Sequence, residues 1–223
     1  MNTRFDHLAF GANTLEVGLD YLQDLLGVTI PFGGKHIKMG THNAVMKLGE
    51  NCYFELITID HDAPPPARPR WFAMDHAVHR LAVERKPRLL TWVVNTDDLD
   101  QCRTISSYPY PEGLNMTRKT DSGTLSWSIT VPEDGNLPAD GLLPSLIQWH
   151  HGGTHPARGM PDLGCRLQSI RLHHPYPSWL EDHLKTIDCH QMVDIVPLSG
   201  NESAYMTATL ETPNGVVTLS GGL

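Results

Sequence analysis

Residues 5–10 form a short strand pattern, and a turn at Gly11-Ala12-Asn13-Thr14 follows, with Thr14 placed as the N-cap of a helix. Leu15, Leu19, Leu22, Leu25 and Leu26 then recur at helical spacing until Gly27 stops the run. Three strand patterns come next, at 28–32, 43–48 and 52–59. Gly33-Gly34 and Gly49-Glu50-Asn51 supply the turns between them. The unit reads β-α-β-β-β.

That order returns twice. An apolar run at 88–94 leads to Asn95-Thr96-Asp97-Asp98 as a helix start, a short helix over 99–106 and strands at 116–119, 124–131 and 143–149. A third copy places strands at 166–173, 192–196, 205–210 and 216–219 around a helix over 179–187, with Leu180, Leu184 and Ile187 on one face. The first helical leucines, Leu15, Leu99 and Leu180, stand 84 and 81 residues apart, a spacing expected of modular repetition. The expected division is a first βαβββ module at 1–60, a connector at 61–87, a second module at 88–155 and a third, βαβββ-like unit at 156–223. The connector holds Pro64-Pro65-Pro66 and Pro69, which favour extended chain. Trp71, Met74, Ala77, Val78, Leu81 and Ala82 then predict an amphipathic helix inserted between modules, a packing element or a lid.

Composition narrows the function classes. The 223 residues are 40% hydrophobic and 19% charged, as expected of a globular chain with a sizeable core. A formal net charge of −8 gives no basic footprint for nucleic acid or anionic lipid. No apolar run approaches the ~18 residues of a membrane span, and residues 1–10 lack the pattern of a signal peptide, so a cytoplasmic protein is expected. Cys52, Cys102, Cys165 and Cys189 show no CxxC pairing and read as reduced thiols. GxGxxG after a strand, P-loop, HExxH and GxSxG signatures are lacking, which weighs against a nucleotide, a flavin, zincin chemistry or a serine nucleophile. Thirteen histidines direct attention to metal or proton chemistry.

Asp6-His7-Leu8, Gly40-Thr41-His42-Asn43-Ala44, Phe54-Glu55-Leu56-Ile57, Arg88-Leu89-Leu90-Thr91-Trp92 and Ile147-Gln148-Trp149-His150, in that order and spacing, resemble the glyoxalase-like domain family of the vicinal oxygen chelate superfamily. The resemblance covers residues 5–175 by motif and the remainder by pattern. It implies an α+β fold of paired βαβββ modules whose strands curl into a cup. In members with metal chemistry it implies an ion inside that cup, held by the first and last strands of each module.

Strand alternation places His7 with Phe5 and Ala9 on one face, and Glu55 with Tyr53, Ile57 and Ile59. A carboxylate on an apolar strand is costly to bury unless paired or metal-bound, so Glu55 is the principal candidate. By the same spacing the second module offers Thr91 where His7 stands and Gln148 where Glu55 stands, and both are poor ligands for transition metals. Two readings stay open. In one, His7, His42 and Glu55 hold a divalent ion (Zn, Fe, Mn, Ni or Co), with Glu55 and His42 catalytic. In the other, Glu55 hydrogen-bonds His7 or His42 in a metal-free pocket. Thr91, Gln148, His150, His155 and Arg158 are candidate substrate contacts, the last three around the loop His150-His151-Gly152-Gly153-Thr154-His155. The expected function is a small-molecule enzyme of lyase, isomerase or ring-cleavage type acting on an oxygen-rich substrate; the rival is a catalytically silent, drug-sequestering binder. The expected partner is a small-molecule ligand, and a homodimer through the exposed sheet edge of the C-terminal unit is compatible with the pattern.

Overall fold

The computed structural model describes residues 2–120, 123–150, 154–199 and 202–222. The first leucine repeat becomes a helix where its signals say: in α1 (Leu15–Leu26) the Thr14 hydroxyl accepts from the Val17 amide, and Gly27 closes the helix in a left-handed turn at φ 74°. Around it lie β1 (Thr3–Gly11), β2 (Phe32–His36), β3 (Thr41–Gly49) and β4 (Cys52–Ile59). After the connector and α2 (Ala77–Arg85), the order repeats as β5 (Arg88–Thr96), α3 (Leu99–Ile105), β6 (Gly113–Thr120), β7 (Gly123–Thr130) and β8 (Ser145–Trp149). It repeats again as β9 (Arg166–His174), α4 (Pro177–Thr186), β10 (Asp194–Pro197), β11 (Tyr205–Thr212) and β12 (Gly215–Gly222).

The first two sets of strands make one eight-stranded sheet in the order β2-β3-β4-β1-β5-β8-β7-β6. In each half the first strand runs parallel to the last, β1 to β4 and β5 to β8, and β1 pairs antiparallel with β5 to join the halves. The sheet curls until its edge strands meet: Lys38 Nζ donates to the Asn115 carbonyl at 3.3 Å, and Arg118 Nη1 on β6 donates to Asn43 Oδ1 on β3 at 3.2 Å. This is the expected α+β cup, nearly closed.

The third set repeats the order but not the wiring. Its sheet runs β10-β9-β11-β12, with β10 parallel to the adjacent β9. Leu180, Leu184 and Ile187 are fully buried, as their spacing predicts. They join an apolar layer on the convex face of the cup that also holds Phe10, Leu22, Phe54 and Trp92. Burial of each such side chain contributes about 1.5–3 kcal/mol. The last strand lies against the middle of the cup: the Arg88 guanidinium donates to the Gly222 carbonyl, and any side chain at Gly221 would collide with the Leu89 carbonyl.

Two expectations are corrected. The strand placed at 28–32 lies instead at Phe32–His36, because pairing of Phe32 with Ala44 and of Gly34 with Asn43 carries the two glycines into the sheet. The inserted helix does not begin at Trp71. Phe72 and Ala73 adopt φ of 56° and 54°, and this left-handed turn drives Trp71, Phe72 and Met74 into the mouth of the cup. The helix that follows, α2, buries none of its residues, and Val78 and Leu81 face solvent. All four cysteines are free, and no helix of the described residues is long and apolar enough to cross a membrane.

Candidate functional site

A register shift in β1 builds the site. Phe5 pairs with Val94 and His7 with Val93, so Asp6 bulges out of register and its side chain meets that of His7, Oδ1 to Nδ1, at 2.6 Å. Asp6 is completely buried. Its Oδ2 accepts from Trp149 Nε1 at 2.8 Å, His155 Nε2 at 2.8 Å and Asn95 Nδ2 at 3.1 Å. Burial alone would push this carboxyl upward. The hydrogen bonds and charges of His155 and His7 outweigh it and hold Asp6 well below the usual carboxylate range.

An ionised Asp6 has only acceptors, so the proton facing it belongs to His7 Nδ1, and His7 Nε2 turns toward Glu55 Oε2 across 3.5 Å. Asn43 Nδ2 donates to the other Glu55 oxygen at 2.5 Å, and Asn43 Oδ1 takes the hydrogen bond of Arg118. The result is a continuous chain, Asp6–His7–Glu55–Asn43–Arg118. Tyr53 stacks on the His7 ring with centroids 4.4 Å apart. Burial, then the Asp6 and Glu55 charges, push its hydroxyl well above its ordinary value, so it stays protonated. His36 is buried edge-on to Trp71, and burial followed by the Arg118 charge pushes its pKa down to about 3.

His7, Glu55, Asn43, Tyr53, His36 and Trp71 line a cavity of about 30 Å³. Val45, Arg118, Leu125, Pro156 and Met160 line both this cavity and an outer basin of about 410 Å³, which makes them the threshold between the two.

The structure therefore brings His7 and Glu55 together and adds His155, which reaches them through Asp6. Other expectations are corrected. His42 does not join them: on β3 its neighbour Asn43 takes the concave face, and His42 stands edge-on to Phe32 near Asp60 and Lys35. Gln148 lies on the convex face, where its Oε1 accepts from the Leu99 amide and its Nε2 donates to the Asp97 carbonyl, tying down the start of α3. His150 bonds Ser128 Oγ at 2.7 Å, on the face opposite the cavity-lining Trp127 and Ile129. Thr91 shares the Ala9 row inside the cup, but its hydroxyl reaches the carbonyls of Trp92 and Gly141 and is not among the cavity walls. Arg158 is exposed at a separate basin of about 430 Å³, bonded to Asn51. His151, Gly152 and Gly153 lie outside the described residues. Sequence reasoning missed Asn43, Tyr53 and Arg118 as site residues; strand alternation already grouped Tyr53 with Glu55, whereas nothing local announces Arg118.

The family's metal pattern can be tested against these donors. Ala9 pairs with Glu55 and Val93 with Ser145, so the residues equivalent to His7 and Glu55 in the second half are Thr91 and Ser145. Two hydroxyls replace an imidazole and a carboxylate, and His7 and Glu55 are already committed to Asp6 and Asn43. Among the described residues no three His, Cys, Asp or Glu side chains are grouped to hold a metal ion. The donor set does not fit a divalent ion held in the manner of the family.

Two curled βαβββ halves close around a concave polar centre. The glyoxalase-like domain matches residues 5–187, and the chain belongs to that family. A hypothetical protein from Staphylococcus aureus shares the fold, at TM-score 0.60 and 18% identity over 98% of this chain and 85% of that one. A methylmalonyl-CoA epimerase from Mycobacterium tuberculosis matches at TM-score 0.40 and 15% identity over 66% of this chain and 87% of that one. A mutant 4-hydroxymandelate synthase from Streptomyces coelicolor matches at TM-score 0.46 and 14% identity over 99% of this chain and 63% of that one. No curated protein matches the sequence.

Proposed function

We propose that this protein is a small-molecule enzyme of the lyase or isomerase type that moves a proton at a carbon beside a carbonyl. The observation that carries the reading is the buried chain in which ionised Asp6 holds His7 and His7 faces Glu55 inside the cavity. In the proposed step His7 carries a proton on both ring nitrogens, Asp6 stabilises the imidazolium, the Nε2–H is a donor, and Glu55 is the base. Glu55 then takes the proton from the carbon, the electron pair moves into the carbonyl, and His7 donates its Nε2 proton to the developing enolate oxygen. Return of a proton to the carbon, or departure of a leaving group from its neighbour, completes an isomerisation or an elimination. The proton-transfer reading is preferred to ring cleavage with oxygen, because among the described residues the donors for an iron centre are not grouped.

Such a base and acid typically contribute 10²–10⁴-fold in rate. The test is deuterium uptake at the α-carbon, followed by proton NMR in D₂O, over a panel of small carbonyl compounds both charged and neutral. The expected result is catalysed exchange of at least one compound, reduced about 10²-fold or more by Glu55→Gln. A compound that binds saturably in the cup without any enzyme-dependent exchange would overturn the reading in favour of a silent binder.

A further inference from the structure

Two residues that line the inner cavity each carry a buried hydrogen-bond donor with no partner among the described residues. Trp71 is 3% exposed and its Nε1–H is one of them. Arg118 Nε is likewise buried and unpaired, although Nη1 of the same guanidinium is engaged by Asn43. Both residues line the space that holds His7 and Glu55. A buried donor left unsatisfied costs about 1–3 kcal/mol, more when charged, so two in one cavity need an explanation. Among the described residues no carboxylate forms an ion pair with Arg118. Gly34 leaves room for the Arg118 side chain: a Cβ there would stand 3.0 Å from Arg118 Cδ.

From this we infer that Arg118 and Trp71 form a carboxylate subsite, and that the substrate is a small carbonyl compound bearing a carboxylate. The inference rests on the proton-transfer reading and supplies its substrate class. The guanidinium and the indole N–H of two residues on one cavity wall supply the two donors that a planar carboxylate accepts. His36 strengthens the assignment, since it is held neutral beside Arg118 and does not bring a second titrating charge. Asn43 stands between Arg118 and Glu55, bonded to both, and so keeps the base from neutralising the cation that binds the substrate. With the carboxylate anchored there, the rest of a small substrate lies against His7 and Glu55, while anything longer extends across Val45 and Leu125 into the outer basin.

The experiment titrates the full ¹⁵N-labelled chain with pyruvate, its neutral amide and inorganic phosphate, reading the indole N–H of Trp71, identified as the cross-peak lost in Trp71→Phe. Pyruvate is expected to move that peak downfield saturably, with the amide binding at least tenfold more weakly and Arg118→Gln weakening pyruvate at least tenfold. Equal binding of pyruvate and its amide, an unmoved Trp71 peak, or tighter binding of phosphate than of pyruvate would each overturn the carboxylate subsite. The amide comparison on the unmodified chain decides the matter even where Arg118→Gln fails to fold. Glu55→Gln separates the two readings: it is expected to abolish deuterium exchange and leave the pyruvate shift intact. Loss of the shift with exchange preserved removes the subsite alone, and absence of exchange with the shift preserved removes the proton-transfer reading alone.

Discussion

The two halves of the cup share their topology and differ in what they put inside it. The first half contributes Asp6, His7, Asn43, Tyr53 and Glu55, a polar row across three adjacent strands. The second offers Thr91 and Ser145 at the matching ligand positions and Val93, Ile129 and Ile147 beside them, an apolar wall. The acid–base pair stands on the first wall, and the second faces it with an apolar surface interrupted by Arg118. A buried charge network costs less when every member is bonded, and Asp6 with four donors meets that condition.

The contrast can be broken most severely at Asp6. Asp6→Ala strips a partner from His7, His155, Trp149 and Asn95, and is expected to lower stability by about 3–5 kcal/mol in urea unfolding. Thr91→Val, its control in the second half, is expected to cost about 1 kcal/mol. Equal losses would show that the halves do not differ as described.

Acid is the next lever. The folded His36 titrates at about 3, below the 6.5 of an unperturbed histidine, so the unfolded chain takes up the proton first. Its contribution is complete above pH 6.5 and is lost progressively as pH falls toward 3. Between pH 7 and 4.5 the unmodified chain should lose about 2–3 kcal/mol more stability than His36→Gln. Parallel profiles would mean that His36 is not buried neutral.

The asymmetry can also be erased. Thr91→His with Ser145→Glu restores an imidazole and a carboxylate to the second half. This variant is expected to lose about 2 kcal/mol without metal and to regain it, measured as Tm, when zinc or cobalt(II) is added. A rise in Tm of the unmodified chain with the same metal would contradict the donor argument. The smallest effect is expected at Gln148, where Gln148→Ala should cost about 1 kcal/mol by freeing the Leu99 amide, with deuterium exchange unchanged. A drop in exchange at full stability would return Gln148 to the site.

The difference between the halves was partly legible in the sequence. Helical spacing and caps marked α1, and the spacing of Leu15, Leu99 and Leu180 exposed the recurring element order, because these are local signals. Glu55 stood out because a carboxylate among Phe54, Leu56 and Ile57 demands a partner. β8 was read in the wrong phase, since Leu146 and Ile147 are both buried and a strand covered on both faces offers no alternation to choose by. His42 was misplaced because it adjoins Asn43, the residue the pleat turns inward. The Asp6 bulge, the meeting of β6 with β2 and β3 that brings Arg118 to Asn43, and the left-handed turn at Phe72 and Ala73 arise from long-range pairing and closure, which no local periodicity encodes. For the same reason the third unit kept its element order and not its wiring.

The seam between Gly221 and Leu89 bears on how the chain is made. The convex apolar layer draws on residues from Leu8 to Leu219, so α1 covers part of it early and it is complete only once β12 has left the ribosome. Until then the outer side of the half-built cup keeps an uncovered greasy area. The cell's holding factors, and any protease that samples nascent chains, meet the protein first in that state.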